Sequence, residues 1–156
     1  MDELGGIYAR SVPSLDATVQ LGVASGKLIQ CSFPATPEAN AESEHELLDR
    51  IEAYAEQETE DDFRDVEIAL TIPSDQRAVL QTLRTVPYGE TTTVESLVRR
   101  TPGLDPDGDD AAATVQSALS ANPIPLVLPD HRVDDGRGAT PGAVRRRLRA
   151  IEGIES

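Results

Sequence analysis

SANPIPLVLPDHRV, residues 120–133, holds the reading of this chain. Asn122-Pro123 stops the helix that precedes it, since proline lacks an amide proton and restricts its neighbour. The run from Pro123 to Pro129 is apolar, and its prolines predict an extended segment heading for the core. A carboxylate, Asp130, follows at once, and then His131 and Arg132. An ionised side chain there is costly unless it is paired, hydrogen-bonded or solvated. Position 130 is therefore a mouth, one end of a surface ion pair, or the place of a replaced residue.

Upstream, AAATVQSALSA (111–121) has helical spacing, with Asp109 or Asp110 as its cap. TPGLDPDGDD (101–110) is a Pro/Gly/Asp linker, and Thr91 to Thr93 offer caps for TVESLVRR. DQRAVLQTLRTV (75–86) predicts a helix with Val79, Leu83 and Val86 inward. Two short helices joined by a turn, then an extended segment, have the order of a helix-turn-helix with a winged-helix flavour. Downstream, a last helix starts near Pro141 and carries GAVRRRLRAIE.

The N-terminal half reads differently. GGIYARSV, ATVQLGVA and KLIQCSF predict strands, with a hairpin turn at ASGK. HELLDRIEAYAEQ places Leu47, Leu48, Ile51 and Tyr54 on one helical face, and FRDVEIALTI predicts a strand returning to the sheet. The fold class is α+β, with an N-terminal α/β module over 1–71 and a helical module over 72–156.

Acids number 28 against 14 Lys and Arg, a net charge of −14, and Lys27 is the single lysine. Such an excess reflects disorder, an acidic interaction surface, or adaptation to molar salt. Regular patterning speaks against the first. Acid spread along the chain, with lysine nearly absent, favours a halophile over the second. Residues 1–83 are net −12 and residues 84–156 net −2, so the halves have different surfaces. No apolar run is long enough to span a membrane and the acidic N-terminus lacks a signal-peptide core, so a soluble, cytoplasmic protein is expected.

Each chemical cluster has a plain alternative. Asp105, Asp107 and Asp109 alternate like a calcium loop, but Gly108 is misplaced and Gln116 stands where a bidentate Glu belongs, so a solvated linker is expected and no metal. Arg145, Arg146, Arg147 and Arg149 form a solvated face, or phosphate contacts aided by Arg132 and Arg137. Cys31, alone and in a predicted strand, reads as a buried small hydrophobe.

VPYGETTTVESL (86–97) together with SANPIPLVLPDHRV resembles the signature of the methylated-DNA–protein-cysteine methyltransferases, the alkylguanine–DNA alkyltransferases. That family has a Pro-Tyr-Gly-Glu turn into a helix-turn-helix, an Asn-Pro step, and then Pro-Cys-His-Arg. Asn122-Pro123, Pro129, His131 and Arg132 match at the same spacing, and Glu152 falls at the family's buried glutamate. The resemblance implies a ribonuclease-H-like sheet in the N-terminal module and a helix-turn-helix alkyltransferase module after it. In the family a cysteine accepts the alkyl group, once and irreversibly, from guanine extruded from duplex DNA, helped by a histidine–water–glutamate relay.

The departures matter most. The nucleophile's seat holds Asp130, the nucleotide-rotating tyrosine corresponds to Val94, and the arginine finger corresponds to Ala113. Asn122, His131 and Glu152 are retained. The DNA face implied by the resemblance comprises Thr92, Thr93, Val94, Ala113, Gln116, Arg132 and Arg137, with double-stranded DNA carrying alkylated guanine and a repair protein as partners and no cofactor. The expected function is a cysteine-less DNA-binding sensor of alkylated guanine. The alternatives are a degenerate scaffold that binds a protein, and an acid–base set of Asp130, His131 and Glu152.

Overall fold

The computed structural model describes residues 6–154. Gly5, the first residue of the expected opening strand, lies outside them. Three strands, β1 (Gly6–Val12), β2 (Ala17–Ala24) and β3 (Lys27–Ser32), form an antiparallel meander in the order β1-β2-β3. The expected turn at ASGK joins β2 to β3 with Ser25 at φ 53° and Gly26 at φ 77°. Two left-handed residues in succession give the tight turn whose twist suits a hairpin.

Helix α1 (Glu46–Ala55) closes one face of this sheet. Its predicted inward residues Leu47, Leu48, Ile51 and Tyr54 are all buried, against Val12, Leu15, Val19, Leu21 and Leu28. Helices α2 (Ser74–Leu83), α3 (Val94–Arg100), α4 (Ala111–Ser120) and α5 (Gly142–Ile151) follow. Val79, Leu83 and Val86 point inward as their spacing predicts. The α+β class is thus correct, and one continuous apolar cluster runs from Val12 through Leu148 across both halves of the chain.

Residues 63–72 differ from expectation. They form no strand, only a parallel bridge between Leu28 and Ile68. Leu28 exchanges hydrogen bonds with the backbone of Glu67 and Ala69, but farther along the same edge the Cys31 amide donates to the carbonyl of Pro123. With that edge shared between two segments, a longer ladder has no partners.

The apolar run after Asn122 is the second correction. Instead of extending, it reverses on itself, with Pro125 bridged to Leu128 and the Leu128 amide on the Ile124 carbonyl at 2.9 Å. Leu126 takes φ 81°, a strained conformation for a branched residue. Buried Asn122 makes the reversal possible: its Oδ1 accepts from the Ile124 amide and its Nδ2 donates to the Leu128 carbonyl. The caps divide as well. Thr93 caps α3 through the Ser96 amide, whereas Asp110 occupies the cap position of α4 without a side-chain bond because its backbone is already near-helical.

Candidate functional site: a sealed carboxylate beside a buried ionic cluster

The reversed turn delivers Asp130, His131 and Arg132 as one turn of 3-10 helix, all three buried. Glu152 caps the C-terminus of α5 and reaches the same place. Arg132 grips it with two nitrogens, Nε to Oε1 at 2.8 Å and Nη2 to Oε2 at 2.9 Å, while its Nη1 donates to the Val86 carbonyl. His131 Nε2 lies 2.8 Å from Oε2, the Gly89 amide donates to Oε1, and the Tyr54 hydroxyl donates to Oε2. Burial alone would push Glu152 upward, but the bonds from His131 and Arg132 hold it far below the usual carboxylate range.

Burial acts the other way on His131, whose pKa falls below the ordinary value despite Glu152. A neutral ring that donates from Nε2 leaves Nδ1 as acceptor, and Nδ1 has no hydrogen-bond partner among the described residues. The charged pair is therefore Arg132–Glu152, with His131 a neutral member. Tyr54 is held as a donor, since burial and the charge of Glu152 push its phenol well above normal.

Asp130 takes no part in that cluster. Its Oδ2 accepts from Asn122 Nδ2 at 2.9 Å and from the Ala139 amide at 3.0 Å, and its Oδ1 accepts from the Thr140 hydroxyl at 2.5 Å. The residue is 1% exposed, and burial raises its pKa while these bonds lower it in part. A family-like seat implies a concave mouth beside α4, with His131 and Glu152 behind. The structure keeps the neighbours but closes the mouth: residues 138–140 lie directly over the carboxylate. The acid–base trio is not assembled either, since both Asp130 oxygens are committed elsewhere.

The expected DNA-facing residues separate into two groups. Ala113 and Arg137 are exposed, and Gln116 is half-buried at a cleft of about 850 Å³ that Ser120, Arg137 and Arg145 also line. Thr93 caps α3, and Val94 donates its amide to Asp135. Thr92 and Arg132 are buried inside the fold. Thr92 is buried with its amide on the Arg132 carbonyl, and the Arg132 guanidinium is consumed by Glu152 and Val86. The arginines of α5 also divide. Arg149 is buried on the His131 carbonyl and Asp134, while Arg146 and Arg147 are exposed.

Sequence reasoning missed Tyr54, Gly89, Ala139 and Thr140. Tyr54 gave the one available signal, a tyrosine on an otherwise apolar helix face, which needs a polar partner when buried. The backbone donors carry no signal in the sequence.

Comparison with known proteins places this geometry. A family model described as the DNA-binding domain of 6-O-methylguanine DNA methyltransferase matches residues 74–153, half of the chain. The chain belongs to that family. A methylated-DNA–protein-cysteine methyltransferase of Methanothermobacter thermautotrophicus is 36% identical over 84 residues, which are 51% of this chain and 44% of the relative. The match thus spans less than half the length of that relative.

Solved structures extend the likeness in fold across almost the whole chain. The O6-methylguanine methyltransferase of Mycobacterium tuberculosis superposes with a TM-score of 0.72 at 23% identity, covering 96% of this chain and 91% of the other. The same organism's protein in complex with DNA gives 0.70 at 24% identity, covering 94% and 90%. The O6-methylguanine-DNA methyltransferase of Pyrococcus kodakaraensis gives 0.63 at 18% identity, covering 95% and 98%. Among the described residues no helix is long and apolar enough to cross a membrane.

Proposed function

We propose that this chain binds double-stranded DNA as a member of the alkyltransferase family that does not accept an alkyl group. The observation that carries the reading is the state of Asp130, at the position that the sequence resemblance gives to the acceptor cysteine. A carboxylate is a far weaker nucleophile than a thiolate, and both of its oxygens are already hydrogen-bonded inside the protein. The chain's one cysteine offers no substitute. Cys31 is buried on β3, and burial together with Asp130 pushes its thiol up to about 12, so it is protonated at neutral pH.

DNA binding is supported by the family domain over residues 74–153 and by the likeness to a structure solved with DNA. The α3–α4 pair would lie against the duplex as a helix-turn-helix, with Ala113, Gln116 and Arg137 on the facing side. A sensor of alkylated guanine that recruits a repair protein is the narrower form of this function, and the cleft beside Gln116 and Arg145 is where an altered base would be read. At ~1 M salt the Debye length is ~3 Å, so the net acidic charge would not by itself forbid an anionic partner.

The test is a binding titration at molar potassium chloride with plain duplex and with duplex carrying O6-methylguanine. Radiolabelled methyl groups on the second duplex report transfer in the same samples. Binding of duplex without label on the protein is expected, and tighter binding of the modified duplex identifies the sensor. Label on the protein disproves the non-acceptor reading, and no binding to either duplex disproves the DNA-binding one.

A second reading, a scaffold that binds a protein instead of DNA, draws on one observation. Asp105, Asp107, Asp109 and Asp110 are all exposed just before α4, where they would face phosphates. Neutralising Asp109 and Asp110 to Asn tightens duplex binding if α4 approaches DNA, and has no effect if the scaffold reading holds.

A further inference from the structure

Residues 134–140 cross between α4 and α5 as a strap fastened along its length. Arg149 binds Asp134 at 3.0 Å, and the Val94 amide binds Asp135 at 2.8 Å. The Arg137 carbonyl accepts from Gln116 Nε2 and from Ser120 Oγ, both at 3.1 Å. Two glycines let the strap lie flat. A Cβ on Gly136 would stand 2.6 Å from Leu119, and one on Gly138 would stand 2.3 Å from the Asp130 carboxyl carbon.

These fastenings differ in kind. Those of Asp135 and Arg137 reach half-buried or exposed groups, whereas Asp134 holds buried Arg149 through its side chain and buried Thr92 through its amide. At the other end of the strap, Ala139 and Thr140 both bond to the side chain of Asp130, which is itself 1% exposed. A buried donor or acceptor left without its partner is costly, so bonds to a water-excluded carboxyl group resist opening.

The strap also forms a partition. On one side is the 850 Å³ cleft of Gln116, Ser120, Arg137 and Arg145, to which Gly138 and Thr140 contribute. On the other is a cleft of about 450 Å³ lined by Cys31, Asn122, Pro123, Ala139 and Pro141. Asp130 lines neither and lies beneath the partition between them.

We propose that Asp130 is a latch: by holding Ala139 and Thr140 it keeps the strap shut, so residue 130 is closed to an extruded base or a small solute entering from either cleft. Asp130 is a positioning residue in this role and takes no part in bond making. The latch is independent of the DNA-binding reading, because it rests on contacts within the chain and is tested without DNA.

The experiment is amide hydrogen exchange on the full chain, followed by mass spectrometry, for the wild type, Asp130→Asn and Thr140→Val. Trypsin cleavage after Arg137 is measured in parallel. Asparagine keeps the shape but replaces one acceptor oxygen with a donor, which faces either Asn122 and Ala139 or the Thr140 hydroxyl, whose bond must then reverse. Valine removes only the hydroxyl. Exchange over residues 136–140 is expected to accelerate about tenfold in Asp130→Asn and about threefold in Thr140→Val, as expected for losing buried hydrogen bonds from a locally opening segment. Exchange in α1 is expected to stay at the wild-type rate, and cleavage at Arg137–Gly138 to speed up in the same order.

Three results overturn the latch. One is an unchanged rate over 136–140 in both variants. Another is wild-type exchange there already at the unprotected rate. The third is an equal acceleration in α1, which would make the effect global unfolding. If Asp130→Asn does not fold, Thr140→Val decides alone.

Discussion

Glu152 shows how much one buried side chain can organise. It receives Arg132, His131, Tyr54 and the Gly89 amide, so removing its charge strands several donors at once. Glu152→Gln is expected to cost about 3–5 kcal/mol in urea unfolding, the range for breaking a buried ion pair from one side. Tyr54→Phe removes a single bond to a charged acceptor and is expected to cost about 1.5–3 kcal/mol. A Glu152→Gln protein as stable as the wild type would show that the cluster contributes nothing net.

The same residues set a pH dependence. His131 has a depressed folded pKa, so stability falls as pH drops below the unfolded value of ~6.5, where the unfolded ring takes up a proton that the buried ring refuses. Glu152 is also depressed, and adds a second loss once pH falls below about 4.3, the unfolded glutamate value. Asp130, raised, works in the opposite sense: its contribution is full below about 3.9 and declines as pH rises through its folded value. From pH 7 to about 4.3 the loss from His131 is offset in part by Asp130. Below about 4.3 Glu152 adds to the loss, so stability is expected to fall toward acid, most steeply below that point. Urea midpoints across that range check it, and a flat profile contradicts it.

Among the elements, the helices were legible because an apolar stripe at helical spacing survives any tertiary setting. Leu47, Leu48, Ile51 and Tyr54 on α1 and Val79 and Leu83 on α2 needed nothing from elsewhere. The turn at 122–130 was not legible. Prolines suggested extension, but the conformation is decided by the Asn122 amide, which binds Ile124, Leu128 and Asp130 at once. The expected strand at 63–72 failed for a related reason, since its intended edge was already claimed by Pro123. At the site, the resemblance located Asp130, His131 and Glu152, but not the strap above them.

Two element-scale predictions follow from the turn and the strap. Gly138→Ala forces a Cβ into the Asp130 carboxyl and is expected to destabilise by about 1–3 kcal/mol, the usual range for overpacking. Asn122→Ala leaves the Ile124 amide and one Asp130 bond unmet and is expected to lower the melting temperature more than Gly138→Ala does. Calorimetry on the two variants ranks them, and the reverse order would show that the strap governs the turn.

For the whole molecule, charge is the dominant scale. The N-terminal arginines are largely engaged, Arg10 with Asp49 and Glu52 and Arg50 with Asp61 and Asp65, yet the chain remains at −14. Self-repulsion of that size is screened as the Debye length shrinks from ~10 Å at 0.1 M to ~3 Å at 1 M salt. Urea midpoints are therefore expected to rise with potassium chloride up to molar concentrations. A midpoint that is flat or falling over that range would remove the halophile reading.

The bond from Tyr54 to Glu152 joins positions 98 residues apart, one in the first helix and one at the end of the last. During synthesis, α1 and the sheet emerge long before their polar partner exists. Until α5 arrives, the Tyr54 hydroxyl faces a core with nothing to accept its proton, and closing so long a loop is entropically slow. A ribosome-bound chain that stops short of Glu152 should therefore leave α1 open to proteases, and release of the finished chain should close it within one cooperative step.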